Sequence, residues 1–535
     1  MSSKKKNLIT LAALSAVLVA CLLLYFFMPA LNKSEETEGE DDSTGITVDT
    51  ITADTIDSIS FEKDGETIWS LAHKKDNWKF TDDNSIPLNE EKVTAITDAL
   101  NPVTAMQKIE EFSGSLESFG LVSPSMTLTV KATDGREYVY QIGTKVPKEG
   151  MGYYCISNTE DVIFCLDETL VSSIDITRNS MIEMETLPSM EKDYMTYIKV
   201  DNRKGKDFEA KRVSDEEKVD FYSNWNITKP YAKPLATSAT EWPTTLGYFD
   251  ALTYTELAEY GAAKKKTYGL DEPSSVITIK YYEAKEGYTP TATATPSTVV
   301  SGNSSGGTGY IIPEDKRDYK ALVLCIGDKT EDSYYVCKKG SDNVYKMNSD
   351  VVENMTKLDA YTSMDHCVYS VLATSIKGYD VTYGNTTMQV TRTSVGEKKD
   401  ADDTTASTET TTTSENAGNA VENTAGGNQK NIWKLNGKKI SDEDEEDFLT
   451  PYSTAYLLEY SEKADDAEMT EKSREPVLTI VYHEEKRDVT VKYLPYDGTN
   501  FYRVDKNGMD YFLVDKLLVD DIIEEFKGIE RLAPV

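Results

Sequence analysis

Histidine is scarce in this chain of 535 residues: there are three, His73, His366 and His483. None falls in a His-Glu-x-x-His array of the kind that holds a catalytic zinc ion, so we interpret them as surface or strand-edge residues. Basic residues are also outnumbered, with 57 Lys and Arg against 92 Asp and Glu, for a net charge of −35. Such acidity argues against binding to nucleic acids or anionic lipids, because both require basic patches.

Motifs of known catalytic sites are present only as isolated strings of letters. Gly302–Gly306 spells Gly-x-Ser-x-Gly within a low-complexity stretch, and Ser60–Lys63 and Ser189–Lys192 spell Ser-x-x-Lys. Ser341–Asn343 spells Ser-Asp-Asn, but no Lys-Thr-Gly completes the set of a penicillin-binding protein. The acidic run Ser441–Asp447 lacks the spacing of a calcium loop and fits the first turn of a helix. We therefore predict no catalytic, cofactor-binding or metal-binding residue, and we expect a non-enzymatic protein; a hydrolase with an unrecognised site is the weakest alternative.

Long apolar runs are absent except for one at the N-terminus, over residues 8–31. This run is long enough to cross a hydrocarbon core of ~30 Å as a helix. Lys4, Lys5 and Lys6 precede it and favour a cytoplasmic location for residues 1–7. We predict a transmembrane signal anchor over 8–31, an acidic linker over 32–44, and an extracytoplasmic location for the rest. Leu18–Cys21 resembles a lipobox, so lipidation of Cys21 is an open alternative that also leaves the chain tethered.

A repeated element organises the remaining sequence. Phe119–Val130 reads Phe-Gly-Leu-Val-Ser-Pro followed by alternating apolar residues, and Tyr268–Ile279 repeats this pattern with Gly and Pro again four positions apart. A third, weaker copy in Arg474–Tyr482 keeps the proline but lacks the Gly-Leu pair. Each copy predicts a period-2 strand that begins at a turn, because Gly allows positive φ and Pro ends the preceding element.

Other landmarks follow the repeated element in the same order, which predicts three tandem modules. We place them at residues 45–179, 180–362 and 363–535. Each is predicted as an α+β module in which an antiparallel sheet packs against a helix; in the first, Asn89 is the expected helix cap. Low-complexity inserts at about 286–316 and about 395–430 read as disordered loops between strands of modules two and three.

One tryptophan recurs in each module, as Trp78, Trp225 and Trp433. They could form an aromatic platform for cell-wall sugars. Their alternation with Lys79, Asn226 and Lys434, however, places them on the buried side of a strand, and we predict that they belong to the cores.

The cysteines permit two cross-strand disulfides. Cys155 and Cys165 could face each other across a hairpin centred on Glu160, and Cys325 and Cys337 could do so across one centred on Glu331. Buried free thiols are the favoured alternative.

The anchor, the W-x-hydrophobic strands and the [FY]-G-L-x-x-P element together resemble the domain-of-unknown-function family 4340, over essentially the whole extracytoplasmic part. The residues that carry this resemblance best are Trp78, Gly120, Pro124, Trp225 and Pro273. The family has no established activity, and its members often look like accessory proteins of gliding-type ABC transporters. The resemblance thus implies a membrane-anchored accessory protein whose partners are a permease or other envelope proteins. The alternative is a surface protein that binds cell-wall polysaccharide.

Overall fold

A computed structural model of the chain describes residues 45–74, 77–111, 115–220, 222–261, 265–290, 312–396, 429–464 and 475–532. Within these ranges it contains three antiparallel sheets and seven α-helices, which confirms the predicted α+β class with three sheets. The predicted anchor at 8–31, the linker at 32–44 and Cys21 lie outside the described residues. None of the helices in the described ranges is both long and apolar enough to span a membrane.

Sheet 1 contains nine strands. In chain order they are β1 (Ile46–Asp49), β2 (Ile56–Lys63), β3 (Glu66–Lys74), β4 (Asn77–Phe80), β5 (Val103–Ile109), β6 (Met126–Ala132), β7 (Glu137–Lys145), β8 (Tyr153–Ser157) and β9 (Glu160–Leu166). Their spatial order is β1-β5-β9-β8-β7-β6-β2-β3-β4.

Sheet 2 also has nine strands. They are β10 (Met195–Asn202), β11 (Phe208–Arg212), β12 (Trp225–Lys229), β13 (Leu235–Ala236), β14 (Glu256–Glu259), β15 (Ser275–Ala284), β16 (Arg317–Lys329), β17 (Ser333–Lys338) and β18 (Val344–Asn348). Their spatial order is β13-β12-β11-β10-β15-β16-β17-β18-β14.

Sheet 3 completes the set. Its strands are β19 (Gly378–Tyr383), β20 (Thr386–Gly396), β21 (Gln429–Leu435), β22 (Lys438–Lys439), β23 (Glu462–Lys463), β24 (Leu478–His483), β25 (Asp488–Pro495), β26 (Phe501–Lys506) and β27 (Met509–Asp515). Their spatial order is β22-β21-β20-β19-β24-β25-β26-β27-β23.

The three sheets share one strand order across eight positions. The strand that follows each proline lies in the interior of its sheet: β6 lies between β2 and β7, β15 between β10 and β16, and β24 between β19 and β25. The outermost strands are short, with two to four residues each. Short edges leave few unpaired backbone groups, which limits edge-to-edge association.

The repeated Gly–Pro element forms a turn whose backbone lies against the neighbouring strand. Gly120 and Gly269 have φ values of 70° and 67°, as predicted for this turn. A Cβ atom on Gly143 would lie 2.2 Å from the carbonyl oxygen of Phe119, and one on Gly327 would lie 2.1 Å from that of Tyr268. Each turn therefore requires a second glycine on the returning strand, because any side chain there would overlap the main chain.

Each module has two main helices, one more than predicted. The helices are α1 (Glu90–Ala99), α2 (Glu168–Ile174), α3 (Trp242–Gly247), α4 (Ser349–Thr356), a short α5 (Ala360–Ser363), α6 (Glu445–Tyr456) and α7 (Lys516–Glu530). Asn89 caps α1 as predicted, with its side chain accepting from Lys92 N at 3.0 Å. The unpredicted helices α2, α4 and α7 follow the last strand of each sheet. Asp167, Asn348 and Asp515 cap them through bonds of 2.7, 2.8 and 2.7 Å, so a capping residue after each last strand was the available signal.

The predicted inserts lie at the ends of long hairpins. Residues 291–311 and 397–428 are outside the described residues, so the predicted disorder there is not described. Around the first insert, pairing of β15 with β16 reaches Ala284 and Arg317, and Glu314–Lys316 forms a 3-10 turn. Pairing of β20 with β21 reaches Gly396 and Gln429. Strand pairing therefore stops next to the predicted ends of the inserts, about 286–316 and about 395–430, whose extent as loops stays a prediction.

The chain divides into two compact units, residues 1–183 and 184–535. Unit 1 contains sheet 1, and unit 2 contains sheets 2 and 3. Each of the predicted modules encloses one sheet, while their boundaries stay predictions.

Candidate functional site

A cleft in unit 2 lies where α3, α4 and α5 meet. Its volume is about 290 Å³, and its lining includes Glu241, Thr245, Tyr248, Glu353, Asp359 and Ser363. The helix N-termini and the segment that leads from sheet 2 to sheet 3 bring these polar side chains together. The sequence offered no signal for the cleft, because its residues come from separate elements and form no motif.

Two carboxylates that line the cleft, those of Glu353 and Asp359, are paired with neighbouring lysines. Glu353 accepts from Lys329 at 2.7 Å and from Lys357 at 2.6 Å, and these bonds lower the pKa of Glu353 to about 2. Burial acts to raise the pKa of Asp359, but Lys463 at 2.9 Å outweighs it, and the pKa lies below its usual value. Both carboxylates are therefore ionised at neutral pH and already bonded to lysine side chains. The cleft can receive a small polar ligand. The hydroxyl of Thr362 donates to Asp359 Oδ2 at 3.4 Å, but the lowered pKa of Asp359 makes that carboxylate a weak base.

A second group of polar side chains lies where sheet 3 packs on sheet 2. Asp220 is 4% exposed and accepts from Ser370 Oγ at 2.8 Å. Asp365, Cys367 and Lys506 line a cavity of about 20 Å³ beside it. Such a volume suits a single water molecule.

Burial controls protonation in this second group. It raises the pKa of Asp365 and lowers that of Lys506, so it disfavours the charged form of each, although Asp220 and Asp365 favour the charged lysine. Burial and the neighbouring Asp365 raise the pKa of Cys367 to about 12. Cys367 is therefore a protonated thiol at neutral pH and a poor nucleophile.

The three histidines lie in separate settings. His73 stacks on Trp78 with 5.0 Å between ring centroids, and His366 Nε2 lies 2.9 Å from the Tyr361 carbonyl oxygen. His483 lies between Asp488, at 2.9 Å, and Asp380, at 3.3 Å. Among the described residues, no group of three or more His, Cys, Asp or Glu side chains is placed to hold a metal ion.

The lysines of the Ser-x-x-Lys strings form ion pairs elsewhere. Lys63 contacts Asp175 at 2.7 Å, and Lys192 contacts Asp250 at 3.7 Å. The acidic run at 441–447 leads into α6 as predicted, with Glu445, Glu446 and Asp447 in its first turn. Gly302–Gly306 lies outside the described residues.

The tryptophan prediction is correct for two modules and wrong for one. Trp225 and Trp433 are 3% and 2% exposed. Trp78 is only half-buried, although it lies in register on the same face as buried Phe80. It is the second residue of the edge strand β4, and a residue at the corner of a sheet has fewer neighbours to cover it.

The two cysteine pairs differ in register. Cys325 on β16 lies directly opposite Cys337 on β17, as predicted. Cys155, however, lies opposite Phe164, and Cys165 lies opposite Tyr154. An irregularity in the pairing between Ile156 and Ser157 shifts this hairpin by one residue, which turns the two thiols to opposite faces of the sheet. This register does not allow the Cys155–Cys165 bridge that the sequence left open, and the cysteines of both pairs are free thiols, as the favoured alternative predicts.

Three sheets of common strand order define a repeat protein of the α+β class. The family model described as "Domain of unknown function (DUF4340)" matches residues 78–273. The predicted resemblance is thereby confirmed from Trp78 on β4 to Pro273 just before β15; its extension over the remaining chain stays a prediction. No curated protein and no solved structure matches the chain.

Proposed function

We propose that this chain is a non-catalytic, membrane-anchored protein that serves an ABC-type transport system as an accessory component. In this proposal residues 8–31 form a single-pass anchor and the three sheets lie on the extracytoplasmic side. The basis for the transport association is the family resemblance; the basis for the topology is the lysine cluster that precedes the apolar run.

One structural observation supports the non-catalytic part of the proposal. Three carboxylates in the cleft and at the contact between sheets 2 and 3 are held by neighbouring side chains: Glu353 by two lysines, Asp359 by Lys463 and Asp220 by Ser370. Catalytic groups usually have pKa values shifted toward neutrality and polar atoms free to meet a substrate. Paired groups of this kind instead fix the relative position of structural elements, as a scaffold requires.

Co-purification tests the transport association. The tagged full-length chain is solubilised from its native membrane in mild detergent, captured and analysed by mass spectrometry. We expect a transporter permease and its ATPase to elute with it in constant ratio. Absence of any transporter subunit after mild cross-linking would contradict the proposal.

Protease treatment of intact protoplasts tests the topology. We expect the protease to remove nearly all of the mass beyond residue 31. As a matched control, changing Lys4, Lys5 and Lys6 to Glu should weaken this orientation, because cytoplasmic lysines set it. A fully protected C-terminus in the unmodified chain would contradict an extracytoplasmic location.

Binding of cell-wall polysaccharide is the second candidate function, and the polar cleft is the observation that favours it. Because Trp225 and Trp433 are buried, the three tryptophans do not form an aromatic platform on which a sugar could stack. A sugar would instead meet the hydroxyl and carboxylate groups of Thr244, Tyr248 and Glu241 in the cleft. Retention on purified peptidoglycan that Glu241→Gln abolishes would favour this second function, with Glu272→Gln as the control outside the cleft.

A further inference from the structure

Two cysteines face each other on adjacent strands of sheet 2. Cys325 and Cys337 lie directly opposite each other in the antiparallel ladder of β16 and β17. The neighbouring bond from Lys339 N to Val323 O, at 2.8 Å, holds this register. Directly opposed residues of an antiparallel pair have Cα atoms about 4.5–5.5 Å apart, which lies within the span of a disulfide.

The two thiols have different surroundings. Cys337 is 4% exposed and packs in a small apolar cluster with Leu270 and Val344, whereas Cys325 is half-buried at the edge of that cluster. The hydrogen bond from Cys337, helped by Lys339 and Lys265, lowers the pKa of Cys325 to about 7. The same bond and burial raise the pKa of Cys337. Cys325 is thus the accessible, partly ionised thiol and Cys337 the protonated partner behind it.

We propose that Cys325 and Cys337 form a redox modification site that closes to a cross-strand disulfide. The oxidant is an external disulfide, either of a small thiol or of a thiol–disulfide oxidoreductase. The Cys325 thiolate attacks one sulfur of that disulfide, whose S–S bond breaks and releases one thiol after protonation. Cys337 then gives up its proton, attacks Cys325 Sγ in the mixed disulfide and releases the second thiol. Two cysteine thiols are oxidised, and one external disulfide is reduced to two thiols.

Sheet 1 provides an internal control for this reaction. Cys155 and Cys165 are as close in sequence as the sheet 2 pair, but they point to opposite faces of their sheet. Burial raises the pKa values of both thiols. We expect neither thiol to react while unit 1 is folded. Comparing the two pairs therefore shows whether the reaction depends on the facing geometry of Cys325 and Cys337 or only on the presence of two thiols.

The experiment uses the full-length chain in detergent, incubated with oxidised glutathione near neutral pH and then alkylated and mapped by mass spectrometry. We expect the loss of two thiols per chain and a cross-linked pair of peptides that contain Cys325 and Cys337, with Cys155 and Cys165 alkylated. Cys337→Ser should accumulate glutathione on Cys325, whereas Cys325→Ser should leave Cys337 largely unmodified.

Three results would overturn the site: both thiols alkylated after oxidation of the folded chain, equal reaction of the sheet 1 pair, or a bridge that joins other cysteines. Oxidation of this pair in living cells also rests on the proposed extracytoplasmic location. Rapid thiol trapping in intact cells tests that location separately. A pair that is reduced in cells but closes readily in the purified chain would support the site and count against the location.

Discussion

Unit 1 contains one nine-stranded sheet, and unit 2 contains two sheets that share its strand order across eight positions. In unit 2, sheets 2 and 3 are joined by residues distant in sequence: Tyr231 stacks on Tyr511 at 4.7 Å, and Arg487 donates to the carbonyl oxygens of Lys218 and Val219 at 2.8 and 3.0 Å. Repeats that look equivalent in sequence therefore differ in whether they form a compact unit alone or as a pair. Neighbouring repeats with a large specific contact are expected to unfold together.

The strongest test of this comparison removes the tryptophan of sheet 2. Trp225 packs against Trp242 at 5.2 Å between ring centroids, and its loss should cost about 3–5 kcal/mol of unfolding free energy. We expect Trp225→Ala to reduce hydrogen-exchange protection in sheets 2 and 3 together while sheet 1 keeps its protection. Trp78→Ala is the matched control in unit 1; because Trp78 is half-buried, it should cost about 1 kcal/mol. Loss of protection confined to sheet 2 would show that the sheets of unit 2 fold separately.

The next test asks whether the close turn has the same importance in both units. Gly143→Ala and Gly327→Ala should each destabilise by about 1–3 kcal/mol, because the added Cβ would overlap a carbonyl oxygen. Urea unfolding of the two variants measures the effect in unit 1 and unit 2. Gly528→Ala is the control: it lies in helix α7 with no atom within 4 Å of the added Cβ, and it should be neutral or stabilising. Two tolerated substitutions would contradict the close approach of the main chains.

A smaller effect is expected when the contact between sheets 2 and 3 is weakened. Tyr231→Ala removes the stacking on Tyr511 and the edge contact with Phe512, each worth about 0.5–1.5 kcal/mol beyond the buried area. We expect sheet 3 then to exchange amide hydrogens at a rate different from that of sheet 2. Tyr511→Phe, which removes only the bond of 2.9 Å to Lys233 N, should leave the two sheets coupled. If sheets 2 and 3 of Tyr231→Ala still lose protection together, the polar contacts, and not the stacking, hold the two sheets to each other.

The smallest effect concerns the pH dependence of unit 2. Burial acts to lower the pKa of His483, but hydrogen bonds to Asp488 and Asp380 outweigh it, so the folded-state pKa is raised. The stabilisation is therefore complete below the unfolded-state pKa of about 6.5 and is lost as pH rises through the higher folded-state pKa. We expect the urea midpoint of unit 2 to fall slightly between about pH 6 and about pH 8, and His483→Gln to abolish that part of the slope. An unchanged slope in the variant would assign the titration to other groups.

The sequence was sufficient for features that depend on a few consecutive residues. Alternating apolar residues identified the strand after each repeated proline, Asn89 identified the start of α1, and the centre of the second hairpin placed Cys325 opposite Cys337. The helices α2 and α4 were missed because 7 and 8 residues show too little periodicity to be recognised alone. Helix α7 has 15 residues, and its buried Val519, Ile522 and Phe526 follow a helical spacing, so its signal was present in the sequence but was not used.

What only the tertiary structure decided depends on residues far apart in the chain. The irregular pairing beside Ile156 separates Cys155 from Cys165, and the corner position of β4 leaves Trp78 half-buried while Trp225 is covered. The cleft at α3–α5 and the contact of Tyr231 with Tyr511 arise from packing between separate elements. A local pattern shows which face of a strand or helix is apolar. It does not show which other element covers that face, because that contact joins residues far apart in the sequence.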